Sequence, residues 1–191
     1  IDRARHGQAP SERELEALFA DDRPEVAESV RQAADELRAE LVGDTVTYVV
    51  NRNINVSNVC TVGCAFCGFG QARRSPDAYT HSEESFRERV REAVEYGASE
   101  LCIQSGIHPD WKIEDYEHWL RVAKDESRGA GRELHLHAYS PMEISHISQS
   151  SDLPLAEVFG RLREAGLGST PGTAAEILDD EVRRQISPNK L

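Results

Sequence analysis

Cys60, Cys64 and Cys67 fall within eight residues, in the run Cys60-Thr61-Val62-Gly63-Cys64-Ala65-Phe66-Cys67. Thiolates this close in sequence converge on one metal centre only if the loop wraps around it. Gly63 and Gly68 offer the positive φ that such wrapping needs. Structural zinc sites usually take four ligands as two spaced pairs, and no second pair follows here at finger spacing. An ordinary four-iron cluster takes four cysteines. Three thiolates would leave one iron without a protein ligand. By analogy with zinc, an open coordination position separates a catalytic centre from a closed structural one. The fourth cysteine, Cys102, reads as a small core residue in mid-strand, roughly 7 Å below the strand end. Zinc or inert thiols remain the competing readings of the loop.

The whole chain sets limits on what this loop serves. Its 191 residues suffice for one domain with a real core, and no run of about 18 apolar residues could span a membrane. Ile1 is not a natural start, and no charged-then-apolar signal segment opens the chain. With clustered cysteines, that fits a reducing, cytoplasmic setting and metal ligation rather than a disulfide framework. A formal net charge of −12 argues against nucleic acid, whose phosphates recruit basic patches. The 22 basic residues include only three lysines, Lys112, Lys124 and Lys190, a balance suited to high ionic strength.

The elements that must position the cysteines follow from periodicity. Residues 1–43 read as an N-terminal helical segment that packs against the rest. Ser11-Glu12-Arg13-Glu14 is a capping box, Pro24 suits a first helical turn, and Gly43 suits a C-terminal cap. Residues 44–191 alternate strand and helix patterns. Extended stretches are expected over 45–50, 53–57, 100–105, 133–139 and 167–170, and helices over 82–96, 113–124, 154–165 and 173–186. This alternation predicts an α/β fold with a parallel sheet of about four βα units. Leu101 and Ile103 in one strand, and Leu134, Leu136 and Ala138 in the next, suit the helix-covered face. Their neighbours Cys102, Gln104, His135, His137 and Tyr139 should then share a polar face, the wall of a ligand-filled cavity. In such barrels the chemistry sits on the loops after the strands. The cysteine loop, Gln104-Ser105-Gly106, Tyr139-Ser140-Pro141-Met142-Glu143 and Thr170-Pro171-Gly172-Thr173, leading to Glu176, all fall there.

The C-x3-C-x2-C spacing with Phe66 before its last cysteine resembles the radical S-adenosylmethionine (SAM) enzymes. Asn51-Arg52-Asn53-Ile54-Asn55, Cys67-Gly68-Phe69-Gly70, Ile107-His108-Pro109, His135 to Glu143 and Gly168 to Glu176 are most similar to the deazaflavin (FO) synthase subunit 2 family. The resemblance implies a partial (β/α) TIM-like barrel, a 4Fe-4S cluster on Cys60, Cys64 and Cys67, and SAM on the open iron. Phe66 would lie near the adenine. Gln104, Ser105, Gly106, Tyr139, Ser140, Thr173 and Glu176 would be cofactor contacts, and His135, His137 and Glu143 catalytic candidates. It further implies a transferase in coenzyme F-420 biosynthesis. The 4-hydroxybenzyl group of L-tyrosine would be joined to 5-amino-6-(D-ribitylamino)uracil, with a reduced electron donor and FO synthase subunit 1 as partners.

Each residue also has a plainer reading. Two histidines without a third ligand are more often hydrogen-bonded cavity residues than zinc ligands. Glu143 and Glu176 could be surface carboxylates, Phe66 loop packing, and His108 a turn former before Pro109. The family usually carries Gln-Gly-Gly where this chain has Gln104-Ser105-Gly106, so Ser105 either fits or crowds the ligand. Family barrels have six strands and more chain beyond them, which predicts that this sequence is a fragment with weak or no turnover alone. The competing functions are a menaquinone-pathway (futalosine) radical SAM enzyme and a non-enzymatic iron–sulfur or zinc module.

Overall fold

The structure, a computed structural model, describes residues 2–172 and 177–190. It divides into two compact units, Ile1–Tyr48 and Val49–Leu191.

Three helices make up the first unit: α1 (Asp2–Arg5), α2 (Glu12–Ala20) and α3 (Pro24–Val42). The expected capping box is present. The Ser11 hydroxyl accepts from the Glu14 N–H, and the Glu14 carboxylate accepts from the Ser11 N–H at 2.7 Å. Pro24 opens α3, and Gly43 closes it at φ 63°, donating its N–H to the Ala39 carbonyl. Neither α2 nor α3 has a buried residue.

The second unit is built on β1 (Asn51–Asn55), α4 (Glu83–Glu95), β2 (Glu100–Gln104), α5 (Ile113–Gly129), β3 (His135–Ala138), α6 (Pro141–Ser151), α7 (Leu155–Ala165) and α8 (Asp180–Ile186). The strands form one parallel sheet in the order β1-β2-β3. Alternation works as the sequence suggests. Ile54, Leu101, Ile103, Leu136 and Ala138 are buried in a single core cluster with Phe86, Val90, Tyr116, Leu120 and Leu162 of the helices. Each fully buried large aliphatic side chain stabilises the unit by roughly 1.5–3 kcal/mol. Ion pairs tie the helices together above that core. Arg87 and Arg91 of α4 share Glu126 of α5, and Arg161 of α7 reaches the buried Glu117 of α5 at 2.7 Å.

Some expected elements differ. Residues 45–50 are β-branched and extended but join no ladder among the described residues, and Val46 and Tyr48 are exposed. β-propensity needs a neighbouring strand to act on. The Val50 carbonyl accepts from the Ser99 N–H, and pairing then begins at Asn51. The fourth extended stretch is reduced to one parallel bridge, His137 to Ser169, although Gly168 and Ser169 both donate to the Leu136 carbonyl. The expected last helix begins only at Asp180, and residues 173–176 lie outside the described residues. Helix α6 was not expected at all.

Candidate active site

The cysteine loop leaves β1 at its C-terminal end and is anchored at its base before it turns. Buried Asn58 donates to the Asp77 carbonyl through its amide and accepts from the Tyr79 N–H through its side-chain oxygen at 2.7 Å. Cys60 and Gln71 close the loop by a backbone bond of 2.9 Å. Gly63 adopts φ 67° as the C-x3-C turn requires, whereas Gly68 is not in the left-handed region, contrary to expectation. At Gly68 the chain bends without that freedom. Gly70 matters in another way. A Cβ there would lie 3.7 Å from the Cys60 Sγ and 3.9 Å from the Cys67 Sγ, so its missing side chain leaves space beside two of the three sulfurs.

All three thiols are free, with Cys60 and Cys64 half-buried and Cys67 exposed. This donor set fits a cluster: unpaired thiols on one wrapped loop, with a glycine cradle alongside. Cys102 is not part of it. It sits in mid-β2, in register with Asn53 and His137, and burial pushes its thiol up.

The other rim stretches lock onto the loop. Gly106 donates its N–H to the Ser57 carbonyl, and a Cβ on it would lie 2.3 Å from the Val59 carbonyl oxygen and 2.9 Å from the Cys60 Cβ. Only glycine permits that approach. Thr61 then donates its N–H to the Ile107 carbonyl at 3.1 Å. Ser105, the departure from the family pattern, is bonded within the rim. Its hydroxyl donates to the Gly106 carbonyl at 3.0 Å, and its N–H donates to Glu143 at 2.9 Å.

Glu143 joins two strand ends. One carboxylate oxygen accepts from the Ser105 N–H after β2, and the other accepts from the Ser140 N–H and hydroxyl after β3, at 2.7 and 2.8 Å. It is buried, and burial raises its carboxyl to about 7 against the lowering pull of those donors. The surface-carboxylate reading therefore does not hold. Glu143 is the capping-box partner that starts α6, with Pro141 in the first turn. Ser140-Pro141-Met142-Glu143 is the local signal for that helix start, a capping box with proline at the first helical position.

Tyr139 requires a correction. It was expected on the polar face, but at φ 61° its side chain is fully buried among the helices. Its hydroxyl donates to the Tyr116 carbonyl at 2.7 Å, and the two rings meet edge to face at 5.0 Å. That side chain is not available to a cofactor. The Ser140 side chain is likewise occupied as the cap of α6. Thr173 and Glu176 lie outside the described residues. Gln104 ends β2 opposite Asn55, on the polar face and at the rim.

His135 and His137 share that face but lie lower. In register they pair with Glu100 and Cys102, so they lie two to four rungs, roughly 7–13 Å, below the strand end at Gln104. Both bond the Ser169 hydroxyl, at 2.7 and 2.6 Å. The structure therefore brings the three cysteines, Gln104 to Gly106 and Glu143 into one rim, and leaves the histidines below it.

Phe66 is half-exposed, and the Lys190 ammonium lies 5.6 Å from its ring centroid. Lys190 belongs to a segment that sequence reasoning missed. Ala65 donates its N–H to the Ile186 carbonyl at 2.8 Å, and the Asn189 amide donates to the Val62 carbonyl at 3.0 Å. Contacts more than 120 residues apart leave no local signal to read.

Comparison with known proteins fits this geometry. Residues 54–190 match the family model described as the Radical SAM superfamily. The chain is 49% identical over 158 residues to the 5-amino-6-(D-ribitylamino)uracil–L-tyrosine 4-hydroxyphenyl transferase of Archaeoglobus fulgidus, covering 83% of this chain and 44% of that protein. It is 45% identical to the transferase of the same name from Cyanothece sp., covering 88% and 44%. It is also 46% identical to the FO synthase of Mycobacterium leprae, covering 92% of this chain and 20% of that longer protein. The chain thus spans less than half the length of these relatives. Among solved structures it resembles methylornithine synthase (TM-score 0.67, 19% identity, 97% of this chain and 50% of that one). It also resembles HydG, a maturase of the [FeFe]-hydrogenase (TM-score 0.74, 16% identity, 98% and 38%). At such identities the likeness concerns the fold, an open parallel α/β sheet forming part of the barrel. A three-cysteine loop on the rim of that sheet, and a family match over most of its length, place this chain in the radical SAM superfamily.

Proposed function

We propose that the protein carrying this chain joins the 4-hydroxybenzyl group of L-tyrosine to 5-amino-6-(D-ribitylamino)uracil, in a reaction begun by reductive cleavage of SAM. The observation that carries this reading is the 49% identity to a transferase named for those two substrates, over a span that includes the cysteine loop and the rim. Cys60, Cys64 and Cys67 would hold a 4Fe-4S cluster, and Phe66 would lie beside the adenine. When bound, the cluster supplies the electron that cleaves SAM. The Gln104-Ser105-Gly106 stretch, held by Glu143 and by the glycine clearance at Gly106, would line the methionine end of bound SAM. Glu143 works as a positioning residue, since its oxygens are occupied by Ser105 and Ser140.

A reduced electron donor and FO synthase subunit 1 are the partners this reading implies. The test is a reaction of the full-length protein, reconstituted anaerobically and given SAM, tyrosine and the ribitylaminouracil. The coupled product together with 5′-deoxyadenosine is expected, and both should be absent in C64A. Deoxyadenosine formed without any coupled product, or product formed only with chorismate-derived substrates, would overturn it.

A further inference from the structure

Three side chains converge at the end of the polar face remote from the cysteine loop. Glu100 opens β2 and His135 opens β3, and the two are register partners, while His137 follows two residues later on the same face. Each offers a ligand atom, and these atoms lie within 4.8 Å of one another. The sequence showed two histidines lacking a third ligand. Strand pairing supplies it from 35 residues earlier in the chain.

Several features orient these groups. The Asn51 amide donates to a Glu100 oxygen at 2.6 Å, the outer-shell support expected of a carboxylate ligand. The His135 ring lies against the Gly168 backbone, where a Cβ would come within 2.4 Å of it, so the ring is seated by glycine. The Ser169 hydroxyl stands 2.7 Å from His135 Nε2 and 2.6 Å from His137 Nδ1. It occupies the point on which both ring nitrogens are aimed.

We propose that Glu100, His135 and His137 form a binding site for a borderline divalent transition metal, with Zn²⁺ the reference ion, distinct from the cysteine-held centre. Two imidazoles and a carboxylate suit such ions. Tetrahedral zinc at about 2.0–2.1 Å from each donor places its ligands about 3.3 Å apart, so the donors must close by no more than about 1.5 Å. The ion would lie among the three donor atoms, and the Ser169 hydroxyl, which now bonds both imidazoles, would rotate aside. Three protein ligands leave a further position open to water or to a small anionic group.

The test uses the full-length protein with its cluster reconstituted anaerobically, so that the loop thiols are already engaged. Zn²⁺ is then titrated against a chromophoric chelator. One equivalent beyond the cluster iron is expected, weakened at least tenfold in H137A and in E100Q, with circular dichroism confirming that both variants fold. S169A should bind zinc at least as tightly as the wild type, because it removes only the competing hydroxyl. Co²⁺ should give a weak d–d spectrum without a thiolate charge-transfer band. The proposal is overturned if the wild type takes up no extra zinc, or if E100Q and H137A bind like the wild type. Loss of zinc in S169A, or a cobalt–thiolate band implicating Cys102, would overturn it as well.

Discussion

The two ends of one polar sheet face are built on opposite principles. At the C-terminal rim, clearance is made by absent side chains: Gly106 beneath Val59 and Cys60, and Gly70 beside two sulfurs. Buried polar groups there bond backbone, as Glu143 does between Ser105 and Ser140. At the strand starts, side chains crowd together, with Glu100, His135 and His137 within reach of each other and both imidazoles bonded to Ser169. An extended ligand needs backbone edges and room, whereas an ion needs convergent lone pairs. The same alternation of residues serves both, because each strand offers a new polar side chain every second residue along about 3.3 Å rungs.

Substituting the two close-packed glycines separates the ends most sharply. G106A forces a methyl into the Val59 carbonyl, a backbone atom that cannot give way without shifting the cysteine loop. Near-complete loss of cluster iron after reconstitution is expected, measured by iron analysis. Wild-type iron content in G106A would break the comparison. G168A instead strikes the His135 ring, so zinc at the strand starts should weaken about tenfold while cluster iron stays at the wild-type level.

A third experiment sharpens the rim alone. The folded-state value of Glu143, about 7, lies above its ordinary 4.5. The stability it contributes is therefore fully present below pH 4.5 and lost as pH rises through about 7. Urea unfolding of the wild type should show that decline between pH 5 and 8, and E143Q should flatten it. Parallel profiles for the two proteins would refute the assignment. The smallest effect is expected from N189A. It removes one hydrogen bond to the cysteine loop, worth about 1 kcal/mol, and should speed alkylation of Cys64 in the cluster-free protein a few-fold.

Features that depend on neighbours in sequence were readable in the chain. The Ser11 capping box, the alternation of Leu101 and Ile103 with Cys102 and Gln104, and the cysteine spacing are local patterns that the structure realises. What escaped depends on partners elsewhere. Residues 45–50 have strand chemistry but no ladder to join. Tyr139 leaves the polar face because its backbone turns left-handed at the strand end and Tyr116 offers a carbonyl and a ring edge. Glu100 reads as an unremarkable strand-opening acid until pairing puts it beside His135. The segment around Asn189 carries no mark of the loop it touches.

One carboxylate riveting two strand ends has a mechanical consequence. Whatever alters the start of α6 also tugs on the Ser105 amide, and through Gly106 on the first cysteine. A substitution in that helix would thereby be felt at the cysteine loop, although no residue of the helix need ever touch it.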